Sequence, residues 1–308
     1  MSLPRRVIID TDPGIDDVVA LALAARSPEI NLVAVTTSYG NAPLPLTTRN
    51  ARLALRLAGR PEVPVLPGAD RPLSRALVTA PEIHGASGVG NAPVYPTVPA
   101  APAPQRRGLL QALAAVPYPV TLVTIGPLTN LAAALDEDPT LVRDRVYDHL
   151  GMFGSLRERG NVNRWADFNA WSDPEATDAV VRSGLPTRMV GLDVTRQMTV
   201  TAAEVAALAA SPSRLVRWLA SAMQFRGDRC IINDVLAVAE VVIPGLLGFE
   251  AKGIRVDLDE SERRGHTTEG ASEPILVATS VDITRTRQLL ARVFGRDWWQ
   301  SHTHRGSA

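Results

Sequence analysis

Lysine and cysteine are almost missing from this chain. Of its 32 basic residues only Lys252 is a lysine, and Cys230 is the single cysteine among 308 residues. One cysteine cannot close an internal disulfide, which is the pattern of a reducing compartment, so a cytoplasmic protein is expected. Net charge is also lacking: 32 basic residues balance 32 acidic ones. With no long basic run, nothing draws in nucleic acid or a membrane surface. No apolar stretch reaches transmembrane length, and the short basic start has no apolar signal core before Val7. What remains is ordinary globular composition, 45% hydrophobic and 21% charged. One domain spanning 1–308 is expected, with a frayed polar tail at about 302–308.

Strand-like and helix-like runs alternate. Strands are expected at Val7–Asp10, Leu32–Thr37, Val63–Leu66, Val120–Ile125, Arg145–Leu150, Thr187–Val190 and Leu276–Ala278. Helices are expected at Asp16–Ala25, Leu46–Leu57, Leu128–Leu135, Pro174–Arg182, Ala202–Ala209, Ser213–Phe225, Asp234–Val241 and Ile283–Val293. This alternation implies an α/β fold, an open and mostly parallel sheet with helices on both faces. Two long loops, Val78–Gln105 and Gly151–Ser172, interrupt it. Both neighbour strand ends, where open α/β sheets bind ligands.

The chemistry concentrates at the end of the first strand, in Asp10-Thr11-Asp12-Pro13-Gly14-Ile15-Asp16-Asp17. Helix capping explains one aspartate at such a place. Four carboxylates within eight residues repel one another and point to a hard divalent cation held by oxygen ligands. Asp16 and Asp17 diverge by about 100° at a helix start, so they take different tasks. Asp10-Thr11-Asp12 also fits the D-x-D of haloacid-dehalogenase-type phosphotransferases. Pro13-Gly14 and the lone, distant Lys252 argue against that chemistry.

The turn resembles the signature of the nucleoside hydrolase family, the inosine–uridine-preferring ribohydrolases. Further motifs follow in order: Thr36-Thr37-Ser38-Tyr39-Gly40-Asn41, Ile83-His84-Gly85 with Gly88-Val89-Gly90, and Ile125-Gly126-Pro127-Leu128-Thr129-Asn130. Then come Gly160-Asn161-Val162, Asp167-Phe168-Asn169, Asp173-Pro174-Glu175-Ala176, and Asn233-Asp234 ahead of Leu236–Ala239. The resemblance implies the Rossmann-like fold of that family and hydrolysis of an N-ribosidic bond to ribose and free base. It implies Ca²⁺, with Asp12, Asp17, Asp234 and the Ile125 carbonyl as ligands and Asp12 also as general base. Asp16 and Asn169 are implied on the ribose hydroxyls, Asn161 and Asp167 on the 5′-hydroxyl, Asn41 near the catalytic water and His84 beside the nucleobase. A homodimer or homotetramer is implied as well. Asparagine suits sugar hydroxyls because it both donates and accepts. Trp165, in the loop 151–172, is in reach of stacking on a base but is not expected to do so; Trp218, Trp298 and Trp299 are expected to be packing or surface residues.

Two residues depart from the family. Asn233 stands where many members carry a histidine that protonates the leaving purine, leaving it a substrate-lining role at most. Asp167 replaces a glutamate and ends about one methylene short of the 5′-hydroxyl. Another donor, His84 or a residue in 226–230, would have to act, or the substrate must have a good leaving group. Alternative readings are therefore a hydrolase of a related or modified N-riboside, or a catalytically weak nucleoside- or ribose-binding protein on the same fold.

Overall fold

The structure is a computed structural model that describes residues 3–95, 107–295 and 298. The expected frayed tail, Trp299 and part of the first long loop lie outside the described residues. Twelve strands occur among the described residues: β1 (Arg5–Thr11), β2 (Ile30–Thr37), β3 (Val65–Pro67), β4 (Val120–Thr124), β5 (Val146–Gly151), β6 (Thr187–Met189), β7 (Thr199–Thr201), β8 (Arg229–Ile231), β9 (Leu247–Lys252), β10 (Ile254–Val256), β11 (Thr267–Glu269) and β12 (Ile275–Val281). Eight form one sheet in the order β3-β2-β1-β4-β5-β6-β12-β9. Every pairing in it is parallel except β12 with β9. The expected open, mostly parallel α/β sheet is therefore what forms.

Alternation along β1 divides the core. Val7 and Ile9 join the cluster under helices Ile15–Arg26, Arg214–Met223 and Val235–Val242. Ile8, between them, faces the opposite cluster under helices Gly108–Ala114, Thr129–Glu137 and Pro174–Val181. Period-two alternation with both faces apolar is what a doubly covered sheet demands. Helix Ile15–Arg26 is buried along its whole length except Arg26. A helix apolar all round belongs in a core.

The chain runs outward from β1 to β2 and β3, then returns to lay β4 against the other side of β1. The connections after β1 and β4 part at this reversal and leave a crevice, the place where such sheets receive ligands. Asp12 follows β1 and Ile125 follows β4; the Ile125 N–H donates to the Asp10 carbonyl at 2.8 Å.

Most expected elements form within a few residues of their expected bounds. The three-residue strands β7, β8, β10 and β11 and the single-turn helices Pro81–His84, Phe168–Ser172 and Leu192–Thr195 are too short to show a period. The antiparallel edge strand β9 was hidden by Gly248 and by the charges of Glu250 and Lys252, which suit an exposed edge. No described helix is long and apolar enough to cross a membrane.

Arg188 on β6 binds Asp148 of β5 through Nε (3.0 Å) and Nη2 (2.5 Å), and Glu240 through Nη1 (3.2 Å). Glu240 is buried and also accepts the Gly245 and Leu247 N–H groups that lead into β9. Removing the guanidinium leaves that carboxylate uncompensated. Arg188→Ala is expected to cost about 3 kcal/mol in urea unfolding. A loss below about 0.5 kcal/mol, the range of an ordinary surface change, would contradict this role.

Candidate active site

The acidic turn is built by hydrogen bonds to its own backbone. Asp17, in the first turn of helix Ile15–Arg26, accepts the Gly14 N–H through Oδ2 (2.9 Å) and the Thr11 hydroxyl through Oδ1 (2.6 Å). Asn41, from the loop after β2, closes the turn from above. Its backbone N–H donates to Asp12 Oδ2 at 2.7 Å, and its Nδ2 donates to Asp17 Oδ2 (2.8 Å) and the Asp12 carbonyl (3.2 Å). The other Asp12 oxygen, Oδ1, is buried with no hydrogen-bond partner. Two glycines make room for this carboxylate: a Cβ at Gly40 would lie 1.9 Å from Asp12 Oδ2, and one at Gly126 2.6 Å from Oδ1. Asp10 lies behind, its Oδ1 taking Asn130 Nδ2 at 2.7 Å and the Thr36 hydroxyl. Asn130 also donates to the Thr37 carbonyl and accepts the Ala69 N–H, so it ties the end of β2 and the loop after β3 to Asp10.

Asp234 enters from the start of helix Val235–Val242. One oxygen each from Asp16, Asp17 and Asp234 lie within 4.8 Å of one another. The expected ligand set had Asp12 in place of Asp16; Asp12 sits beneath this triplet and couples to it through Asp17. Burial, and then the neighbouring negative charges, push the carboxyls of Asp12 and Asp234 well above the usual carboxylate range. Burial and Asp16 raise Asp17 to about 6, and burial raises Asp10 to about 7. Crowded carboxylates with a backbone carbonyl nearby are an all-oxygen donor set of the kind hard cations take.

Over this floor opens a cleft of about 410 Å³. Of the expected residues, Asp16, Asn41, His84, Ile125, Asn161, Asp167, Asn169, Asn233 and Asp234 line it, whereas Asp12 and Asp17 lie under its floor. Asn169 donates through Nδ2 to the Met152 carbonyl (2.8 Å) and the Ile125 carbonyl (3.3 Å). Asn161 closes the 151–172 loop on itself by accepting the Phe168 N–H. Asp167 is the N-cap of helix Phe168–Ser172, and its oxygens take the N–H groups of Gly154, Asn169 and Ala170. Asn233 is held between the Thr195 hydroxyl (2.9 Å) and Asp16 Oδ2 (3.3 Å).

His84 accepts the Ile15 N–H at Nδ1 (3.0 Å), which places its own hydrogen on Nε2. Burial lowers its pKa to about 4, so the ring is neutral at pH 7. Trp165 packs against His266 and under the guanidinium groups of Arg164 and Arg263. Trp218 and Trp298 are buried. Phe168 and Trp171, flanking Asn169, also line the cleft, as do Arg196 and Arg226. Only the spacing of the two aromatics around Asn169 marks them in the sequence, and nothing there marks Arg196.

Residues 7–288 match the sequence model of the family described as inosine-uridine preferring nucleoside hydrolase. The chain belongs to this family. An inosine-uridine preferring nucleoside hydrolase of Crithidia fasciculata is 34% identical over 88% of this chain and 90% of its own. The pyrimidine-specific ribonucleoside hydrolase RihA of Photobacterium profundum is 44% identical over 63% of each chain. The solved structure of a purine-preferring ribonucleoside hydrolase from Gardnerella vaginalis superposes with a TM-score of 0.86 at 29% identity, covering 96% of this chain and 99% of that one. The chain is thus an N-glycosyl hydrolase acting on nucleosides, as its motifs implied.

The raised carboxyls of this nucleoside hydrolase have a thermodynamic signature. Asp10, Asp12, Asp17 and Asp234 bind protons more tightly folded than unfolded. Their contribution is fully present below the unfolded carboxyl pKa of about 4; that of Asp17 is lost as pH rises through about 6 and that of Asp10 through about 7. With chelator present, the melting temperature is expected to fall between about pH 5 and about pH 7.5, and millimolar Ca²⁺ should reverse the fall. A flat profile that ignores the cation would refute the coupling.

Proposed function

We propose that this chain hydrolyses the N-glycosidic bond of ribonucleosides in a Ca²⁺-dependent reaction, with Asp12 as the general base. The observation that carries the reading is the unpartnered, buried Oδ1 of Asp12. Its sister oxygen is pinned by Asn41, and the Asp16–Asp17–Asp234 triplet lies beside it. The donor oxygens fit the ion. Bound among Asp12, Asp17, Asp234 and the Ile125 carbonyl, Ca²⁺ would supply a Lewis acid that acidifies a water and grips the sugar diol.

The chain's own groups do the remainder. Asp12 accepts the proton of the water that attacks C1′, and Asn41 keeps its carboxylate aimed. Asp16 and Asn169 hydrogen-bond the ribose hydroxyls. Asn161 and the cleft wall capped by Asp167 receive the 5′ arm. Because three backbone N–H groups already occupy Asp167, its part is to shape that wall rather than grip the hydroxyl.

Among the described histidine, cysteine and arginine side chains lining the cleft, none is a ready proton donor to the leaving base. Neutral His84 offers a hydrogen bond from Nε2 but not an easily lost proton. Burial holds the Cys230 thiol up at about 12. Arg226, whose Nη1 donates to the Ile83 carbonyl beside His84, adds guanidinium donors that stabilise a departing anion without protonating it. This favours, as a second reading, substrates whose base leaves readily, including modified N-ribosides. Cytoplasmic location and a homodimer or homotetramer complete the proposal. The buried, unpaired Cys230 accords with a reducing compartment.

Reducing-sugar release from purine, pyrimidine and nicotinamide ribosides, with and without chelator, tests the reading. Release that chelator abolishes is expected; tight nucleoside binding with no release would favour the binding-protein alternative. Asp12→Asn should lower kcat at least about 100-fold with the melting temperature preserved, the scale of a lost general base. Asn233→His should raise kcat for inosine by about 10-fold or more while leaving 4-nitrophenyl riboside unchanged. Equal gains on both substrates would show that the leaving-group proton is not what is missing.

A further inference from the structure

The sugar loop is held from outside by an element that the proposed chemistry does not use. This is the β10–β11 hairpin, whose connection spans 257–266. Four ties join the two. Thr267, at the start of β11, accepts the Ser155 N–H (2.8 Å) and donates to the Ser155 carbonyl (2.9 Å). Next to Ser155 is Gly154, whose N–H goes to Asp167. Asn163 Nδ2 donates to the Glu262 carbonyl at 3.0 Å, while its Oδ1 caps the N–H groups of Trp165 and Ala166. The Trp165 ring takes the guanidinium of Arg263 at 4.4 Å. Arg264 lies 4.5 Å over the ring of Trp171 and donates from Nη2 to the Ser172 carbonyl at 3.1 Å.

Backbone contact at the same place is close. Gly265 has φ +73°, and a Cβ there would lie 2.5 Å from Trp171 Cα. Phe168 and Trp171 line the cleft beside Asn161 and Asn169, so the short helix that Arg264 grips is itself cleft wall. The hairpin is anchored in turn from its far side. Arg75 binds the Leu258 carbonyl and Glu260, and bridges to Glu175 at the head of helix Pro174–Val181. Seen from the cleft, the loop carrying Asn161, Asp167 and Asn169 is stretched over a second element and fastened there by cation–π and carbonyl contacts. Such contacts, taken together, are enough to bias the position of a short loop.

We infer that Arg264 is a positioning residue. Through Trp171 and Ser172, the β10–β11 hairpin sets the loop that receives the 5′ arm of the ribose, and thereby recognition of that arm. The inference rests on the proposed riboside hydrolysis. The metal floor and Asp16 come from other elements, and Asn169 is anchored separately to the Met152 and Ile125 carbonyls, so loosening the hairpin changes how the 5′ arm is held and leaves the chemical step alone.

The test compares one riboside with its 5′-deoxy counterpart in wild type, Arg264→Ala and Arg75→Ala, with melting temperatures taken alongside. Arg75→Ala slackens the hairpin without touching the sugar loop and covers the case in which Arg264→Ala fails to fold. Either variant is expected to raise KM for the riboside about tenfold, the value of one hydrogen bond, with kcat within about twofold. On the 5′-deoxyriboside, KM should match wild type. Arg264→Lys, which keeps the charge but not the flat stacking group, should recover only part of the loss. Equal losses on both substrates, or unchanged KM in both variants, would overturn the inference while leaving the hydrolase reading intact. Absence of turnover by wild type on every riboside would remove both.

Discussion

Mutual repulsion among buried carboxylates is the constraint that organises this molecule. Asp10, Asp12, Asp17 and Asp234 are all enclosed at the point where the sheet reverses direction. Such a cluster survives in a fold only if other groups solvate it. Thr11, Thr36, Asn41, Asn130 and the Gly14 amide do so, from strand ends, a helix start and two connections that converge on the end of β1. Glycines at 40 and 126 admit the Asp12 carboxylate where any side chain would exclude it. Several loops around the floor are therefore set by what these charges need. The crowding leaves a demand for positive charge that a hard cation answers.

The division of labour between floor and walls follows. The floor stands on β1, β4 and two core helices. The walls stand on the short segments around His84, around Phe168 and Trp171, and around Arg226. Asn233 sits at the seam between them, its amide held on both sides. There the chain has exchanged a possible proton donor for a neutral pin, and His84 does not make up the difference because burial keeps it uncharged. On the proposed mechanism, hydrogen bonds from Arg226 and the intrinsic quality of the leaving group carry that part of the reaction instead.

Much of this was legible in the sequence. The long apolar strands and their helices declared the α/β sheet, because burial on both faces leaves little room for other residue types. Asp12, Asp16, Asp17 and Asp234 stood out since so many carboxylates have no purpose in a core. Elements that one turn or three residues complete stayed hidden, for no periodicity can develop over such lengths. The β10–β11 hairpin is the main example, and its link to Trp171 depends on contacts about 90 residues apart. The state of His84 was likewise hidden: a histidine in a glycine-rich loop reads as mobile and titrating, and only its enclosure against the Ile15 amide makes it neutral. The three backbone N–H groups that Asp167 also accepts were not legible, because they come from a helix start and a glycine that the motif does not mark.

Helix Ile15–Arg26 is embedded on all sides, yet its first turn supplies Asp16 and Asp17. A lineage of such proteins can hardly shift or tilt this helix, since every direction of movement meets packed core. Substitution is cheap only in the peripheral walls, where short segments touch the base and few core contacts are at stake. The architecture thus separates what must stay fixed from what is free to drift. Bond cleavage is inherited with the core, while taste in nucleobases can change by small edits at the rim. That relatives of one fold carry names as different as pyrimidine-specific and purine-preferring is the expected outcome of such a design.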